Sequence, residues 1–201
     1  MSSDFEGLSD SELVALSIAG RDRAFGLIVR RHQDLLYRIA FASLGNTHDA
    51  LDAVQDIFVV AFLALKRFDQ RRPFRPWLAA IALNRCRDLA RRRRVRGLLS
   101  FALPIDSKVE AIAQDKPGVD AEAADREELH RTMQGISRLP ATLREPLVLH
   151  TVEGMSQAET AETLKISEKA VETRLRRARL RLRDELNIDR SLVKREHKYE
   201  A

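Results

Sequence analysis

Apolar residues recur every three or four positions along most of this chain, the spacing of helices that bury one face, while strand-like alternation is scarce. The pattern predicts an all-α protein with almost no strand. "DSELVALSIAG" opens with Asp10 as the expected N-cap and stops at Gly20. "RAFGLIVRRHQDLLYRIAFASLG" sets Phe25, Ile28, Val29, Leu35, Leu36, Ile39 and Ala40 at helical intervals and stops at Gly45. "THDALDAVQDIFVVAFLALKRF" opens at Thr47 or Asp49 and is expected to bury Leu51, Val54, Phe58, Ala61, Phe62 and Leu65. A fourth helix, "PWLAAIALNRCRDLARRRR", follows a short turn.

Beyond it the periodicity weakens. "GLLSFALPIDSKVEAIAQDKPGVDAEAA" holds a brief apolar piece, two prolines and an acidic, alanine-rich passage, which reads as a linker. The expected organisation is an N-terminal block over residues 10–95, a linker over 96–129, a C-terminal block over 130–187 and a flexible polar tail over 188–201.

The C-terminal block, "LPATLREPLVLHTVEGMSQAETAETLKISEKAVETRLRRARLRLR", parses as three helices: one ending near Val152, a short one over Ser156 to Leu164, and a long one from about Ser167. Ser156 with Glu159 three residues on forms a capping box, and Ser167 caps the long helix. The tight turn "LKIS" directs Ile166 inward, so the last two helices form a helix-turn-helix whose second helix suits the major groove. Val171, Leu175, Ala178 and Leu182 make its inner stripe. Lys169, Glu172, Thr173, Arg174, Arg176, Arg177, Arg179, Arg181 and Arg183 fall on the other faces. An isolated charge run is more often a solvated helix face. Here the cation excess, the capped helix just upstream and the polar residues near the helix start favour DNA. Lys169, Thr173 and Arg176 are suited to base edges, and Arg174, Arg177 and Arg179 to phosphates. Glu172 either accepts from a cytosine amino group or pairs with Arg176 one turn on.

Composition narrows the chemistry. A chain of 201 residues with 44% hydrophobic content can fold as one domain or two small ones without covalent staples. The lone Cys86 excludes an internal disulfide, and the histidines lack metal-ligand spacing, so neither metal nor cofactor is expected. With no glycine-rich phosphate loop and no nucleophile-base pair, an enzyme or a small-molecule substrate is not expected either, and Ser156 near His150 is no triad. No apolar run approaches a membrane span, and "MSSDFEGLSDSELVALS" carries acid where a secretory signal needs a basic head. A cytoplasmic protein without membrane insertion is the expectation. Its 35 lysines and arginines against 30 acids leave a net charge of only +5, but the arginines are bunched, giving local fields that attract a polyanion.

In the N-terminal block, "KRFDQRRPFRPWLAAIALNRCRDLARRRRVR" places a loop of Asp69, Gln70, Arg71, Arg72 and Pro73 before a helix carrying Trp77, Asn84, Arg85, Arg87 and an arginine run that includes Arg91 and Arg92. Rings beside cations suit single-stranded DNA, whose bases stack while its backbone follows the charge. Phe68, Phe74 and Trp77 are alternatively core residues, and for Phe74 and Trp77 packing is the favoured reading. The arginine run also suits a helix C-terminus electrostatically. "THDALDAVQDIFVVAF" groups Asp49, Asp52 and Asp56 with Gln55 on an amphipathic helix, a face suited to a basic protein partner. Asp49 and Asp52 equally favour the helix N-terminus by charge.

Together these segments resemble RNA polymerase sigma factors of the extracytoplasmic-function (ECF) type in the sigma-70 family, stress-response initiation factors built from two helical domains. "DALDAVQDIFVVAF" is similar to the family's acidic "DAxDxVQExF" helix, which implies that Asp49, Asp52, Gln55, Asp56 and Phe58 contact the clamp of core RNA polymerase. "FDQRRPFRPWLAAIALNRCRDLARRRR" resembles the region 2 segment that opens and reads the −10 element, and the C-terminal block resembles the region 4 module that binds the −35 duplex. The resemblance implies core polymerase, promoter DNA and an inhibitory anti-sigma factor as partners. This sequence departs from the family's pattern at Lys165, where glycine is usual, at Glu172 for a common lysine, and at Asp69, Gln70 and Pro73 in the −10 loop. "GLLSFALP" either enters a polymerase channel or packs on the N-terminal domain. Two alternatives fit the same blocks: a helix-turn-helix repressor with an N-terminal sensing domain, and a sigma mimic that sequesters an anti-sigma factor.

Overall fold

Capping residues and glycines set the frame. Ser9 caps the first helix, α1 (Asp10–Ile18), in a reciprocal box with Glu12, whose carboxylate accepts from the Ser9 N–H at 2.7 Å. Asp10 is therefore not the N-cap expected from the sequence. As the first helical residue it reaches sideways to α2 (Asp22–Leu44), with Oδ1 2.6 Å from Arg31 and Oδ2 2.9 Å from His32. Gly45 ends α2 in the left-handed conformation at φ 79°, where a side chain would be strained. Asn46 then caps α3 (Thr47–Ala64), accepting from the Asp49 N–H at 2.8 Å.

The computed structural model describes residue 5 and residues 7–102 and 121–199, with side chains for residue 5 and residues 7–96 and 128–187. After a 3₁₀ turn at Leu65–Arg67 and the Asp69 loop comes α4 (Phe74–Ala102), then α5 (Ala121–Arg138), α6 (Ala141–Leu147), α7 (Gln157–Leu164) and α8 (Glu168–Tyr199). No strand occurs among the described residues, which bears out the all-α expectation. The expected linker 96–129 is partly helical, because α4 continues to Ala102 and α5 starts at Ala121. The apolar piece "GLLSFALP" has no described side chains. Over the expected polar tail, 188–201, the described residues are helical. No glycine or proline interrupts Glu168 to Tyr199, and α8 runs through.

α1 to α4 bury one set of side chains: Leu13 and Val14, then Ile28, Leu36 and Ile39, then Ile57, then Leu78 and Ala82. α3 packs through Ala50, Ala53, Ile57, Phe58 and Ala61, a stripe at spacings of three and four that is mostly alanine and lets the helices approach closely. That stripe overturns part of the expected core. Leu51 stays 52% exposed and Phe62 45% exposed, because both lie off the alanine line.

The C-terminal half buries Met133, Ile136, Leu147, Leu149, Met155, Val171, Leu175 and Ala178. α6 widens into a π-helical turn at Val148–Val152, so the segment ends at Val152 as expected. Gly135 lets α5 lie close against α8, since a Cβ there would stand 3.2 Å from the Leu182 and Leu186 side chains. The halves also touch each other: Phe41 of α2 lies against His130 of α5, with ring centroids 5.2 Å apart, and α4 packs on α7.

Hydrogen bonds from His32 and then Arg31 outweigh the opposing effect of partial burial and hold the Asp10 carboxyl below its ordinary value of 3.8. A depressed carboxyl contributes stability above its ordinary value and loses it as pH falls through the folded value. Asp10→Asn is therefore expected to lower the urea midpoint at pH 7, with the difference from wild type closing as pH drops below 3.8. A midpoint difference independent of pH contradicts this coupling.

Candidate nucleic-acid and polymerase interfaces

The helix-turn-helix forms as its sequence indicates. Ser156 caps α7, accepting from the Glu159 N–H at 3.1 Å while the Glu159 carboxylate accepts from the Ser156 N–H at 2.8 Å. Those bonds, backbone first, lower the Glu159 pKa. Lys165 ends α7 at φ 55°, ψ 47°, the left-handed conformation that glycine adopts freely and a lysine only at a cost. Ser167 accepts from the Ala170 N–H at 3.2 Å at the start of α8.

On α8, Val171, Leu175 and Ala178 are buried, which turns Lys169, Thr173, Arg176 and Arg177 to the opposite side and puts Glu172, Arg174 and Arg179 on the flanks. Lys169, Glu172, Arg176, Arg177 and Arg179 are exposed, and Thr173 and Arg174 half-buried. The Thr173 hydroxyl donates back to the Lys169 carbonyl at 2.9 Å. The pairing of Glu172 with Arg176 is not formed, so both side chains are open to solvent.

The second cationic surface lies on α4 and the loop before it. Asp69 folds that loop, its carboxylate accepting from the Arg71 N–H at 3.1 Å and from Arg71 Nε at 2.9 Å, which lowers the Asp69 pKa. Gln70, Arg71, Arg72 and Pro73 are exposed. Phe74 is buried and packs on Phe68 and Trp77, with centroids at 5.5 and 5.3 Å, as the packing reading held. Trp77 is half-buried and lines a cavity of about 280 Å³ with Arg72, Pro73, Asn84, Glu162 and Lys165. Arg91 pairs with Asp88 at 2.8 Å, and Arg92 is exposed.

Four expected site residues make contacts within the fold. Phe58, expected against the polymerase, is only 8% exposed and sits edge-on to Phe25, because its position falls on the alanine stripe. Asp56 and Arg85, expected at different interfaces, bind each other at 2.5 Å and tie α3 to α4. Asp49 likewise pairs with Arg93. Asp52 and Gln55 remain exposed beside Leu51, Val59 and Leu63, which are 52, 60 and 74% exposed. This apolar strip escaped the periodicity reading. Its signal was present: nine residues from Ile57 to Leu65 without a polar side chain are too many for a helix buried on one face.

Also not anticipated is the contact between halves. Glu153, at the end of the π-helical turn, has a side chain wholly removed from solvent. Arg38 of α2 grips it with two bonds, at 2.7 and 2.9 Å, which raises the Arg38 pKa. Arg75 of α4 adds bonds of 3.2 Å to the carboxylate and 2.5 Å to the Glu153 carbonyl. Arg87 holds Glu145 of α6 at 2.7 and 2.5 Å, and Arg72 pairs with Glu162 of α7.

Two helical modules, one with a cationic reading helix and one with an aromatic and arginine cleft, define a bacterial transcription initiation factor. The family model for sigma-70 region 2 matches residues 28–96, and that for sigma-70, region 4 matches residues 129–182. The sigma factor CnrH of Cupriavidus metallidurans is 43% identical over 183 residues, covering 90% of this chain and 96% of its own. The ECF sigma factor SigW of Bacillus subtilis is 33% identical, covering 83% of this chain and 91% of its own. The solved structure of CnrH in complex with the cytosolic domain of CnrY superposes with a TM-score of 0.66 at 37% identity, over 90% of this chain and 98% of that one. The chain belongs to the sigma-70 family as an ECF RNA polymerase sigma factor. It directs core polymerase to promoters and catalyses no reaction itself. Among the described residues, no helix is long and apolar enough to cross a membrane.

Lys165→Gly is expected to relieve the left-handed strain and raise the unfolding free energy by about 1 kcal/mol, read as a higher urea midpoint at an unchanged slope. A lower midpoint would show that the lysine side chain contributes more than its backbone costs.

Proposed function

We propose a division of labour among three surfaces. The exposed face of α3 docks on core polymerase through Asp52 and Gln55, with Leu51, Val59 and Leu63 adding apolar contact; Asp49 and Asp56 help to shape that face through their arginine pairs. α8 lies in the major groove of the −35 duplex. Lys169, Thr173 and Arg176 meet base edges there, while Arg174, Arg177 and Arg179 hold phosphates and Glu172 stands at the groove edge. The Asp69–Pro73 loop and α4 take the unpaired −10 strand, with Trp77 and Asn84 around the cavity, Arg87 beside Asn84, and Arg91 and Arg92 following the backbone.

The observation that carries this reading is the exposed cationic face of α8 lying opposite a buried Val171, Leu175 and Ala178 stripe, on a helix entered from a capped α7. Strand opening then needs no hydrolysis. A base stacked on protein contributes about 1–3 kcal/mol, and the single strand binds better than the duplex, so the open promoter gains population.

The protein acts in the cytoplasm, where polymerase and DNA are. A protein partner, an anti-sigma factor, controls it by covering its polymerase-binding face. The solved complex of the relative CnrH with the cytosolic domain of CnrY supports control by a bound protein partner.

Asp52→Arg reverses a charge on the exposed α3 face without touching the core, so it is expected to leave helicity intact and to abolish co-purification with core polymerase. Undiminished co-purification contradicts the docking assignment. Arg176→Ala is expected to weaken −35 binding by about 1–3 kcal/mol for the preferred sequence only. A uniform loss across sequences, measured by competition among duplexes, would reassign Arg176 to a phosphate.

A further inference from the structure

Two aromatic rings close the base of the loop before α4. Phe68 and Phe74 stand on either side of Asp69–Pro73, edge-on to each other with centroids 5.5 Å apart, so the loop leaves from and returns to one ring pair. Both rings also touch Trp77, at 4.8 and 5.3 Å, and its remaining face lines the cavity with Arg72 and Pro73. A further ring seats Phe74. His32 of α2 lies edge-on to it with centroids 5.5 Å apart, and the His32 side chain is only 7% exposed.

His32 is in turn held by charge. The Asp10 carboxylate accepts from His32 Nε2–H at 2.9 Å, and because an ionised carboxylate can only accept, the proton is fixed on Nε2. Of the groups around Asp10, His32 does most to hold its carboxyl below the ordinary value. Arg31 donates to the other carboxylate oxygen at 2.6 Å and to the Leu8 carbonyl at 3.0 Å, and α1 also packs on the 3₁₀ turn that leads into Phe68. Packing alone does not require this arrangement. A leucine would fill the space against Phe74 without burying a polar ring, whereas a hydrogen-bonded imidazole has one orientation and offers Phe74 one edge.

We propose that His32 is a positioning residue for capture of the −10 strand: tied to Asp10, it sets Phe74, and Phe74 sets the Asp69–Pro73 loop and Trp77. Neither Asp10 nor His32 lines the cavity, so both act through Phe74. The first helix thereby contributes to promoter opening from outside the strand-binding surface. The inference rests on the strand-capture reading of that loop and α4.

The test uses holoenzyme assembled from core polymerase and the full chain, with a fluorescein-labelled non-template strand of about 12 nucleotides spanning the −10 element of a promoter that this holoenzyme transcribes. Asp10→Ala and His32→Phe each untie the ring, and each is expected to weaken strand binding about tenfold, within what one stacked base contributes. Asp10 is a quarter exposed, so Asp10→Ala keeps the test open should His32→Phe fail to fold. Asp10→Asn is the conservative variant. It loses the same charge but keeps a carbonyl oxygen that accepts from His32, so it is expected to lower the urea midpoint yet bind the strand within about twofold of wild type. The double variant Asp10→Ala with His32→Phe is expected to bind no worse than either single one, since both break one link. Trp77 is the chain's single tryptophan, and its emission in the free chain is expected to shift in Asp10→Ala and His32→Phe and not in Asp10→Asn. Strand affinities that follow stability, with Asp10→Asn falling alongside Asp10→Ala, reduce His32 to a packing residue and overturn the proposal, as do additive losses in the double variant or an unmoved tryptophan. Arg72→Ala judges the strand-capture reading by itself. Wild-type strand binding by Arg72→Ala sinks that reading, whereas weakened binding there beside wild-type binding by the two untied variants sinks the positioning role alone.

Discussion

A carboxylate with no exposure to water, that of Glu153, sits between two halves of the molecule and is met by guanidinium groups from the other half. Removing such a charge from water costs several kcal/mol unless it is paired and hydrogen-bonded, so Arg38 and Arg75 must be placed where they are for this arrangement to hold. The alanine-rich packing of α3 on α2 and α4 and the cap on α1 follow from apolar burial and local chemistry. The mutual placement of the halves draws on charge geometry as well as on packing such as that of Phe41 on His130. Buried pairs of this kind contribute little net stability, while removing one partner is costly.

The surfaces that remain outside the contact are chemically distinct. α3 offers carboxylate and amide groups among exposed Leu51, Val59 and Leu63, a combination suited to a protein and unsuited to DNA. α8 offers cations at right angles to its buried stripe and beyond, suited to a groove walled by phosphates. The loop before α4 is held by Asp69 on Arg71 and leads to a half-buried tryptophan that packs on Phe68 and Phe74 and lines the cavity with its remaining face. In the proposed division each surface addresses one component of an initiation complex, and their connection in one chain converts separate weak contacts into a single placement.

Much of this was legible in the residues. Period-3.6 spacing gave the helices, Ser156 and Glu159 gave the box, and the departure of Lys165 from glycine gave the left-handed turn. Misreadings trace to specific causes. Asp10 looks like a cap because aspartate caps well, but Ser9 precedes it with Glu12 in register. Leu51 and Phe62 look buried by hydrophobicity, whereas the small residues of α3 set which side faces inward. Phe58 carries a motif resemblance and a core position at once, and the core position decides where its ring points. Arg38, Arg75, Glu145 and Glu153 are isolated charges within helices, and no local spacing links residues 115 apart in sequence such as Arg38 and Glu153. Their pairing exists only in three dimensions.

The central claim is that two basic modules reach one promoter when, and only when, polymerase carries them there. Run-off transcription with purified core polymerase on a genomic promoter library tests it most directly. The account predicts transcripts that begin at a fixed distance downstream of a two-part sequence element and that require both this chain and the core enzyme. A chain that protects specific duplex DNA by itself and leaves the start sites of the core enzyme unchanged would contradict it.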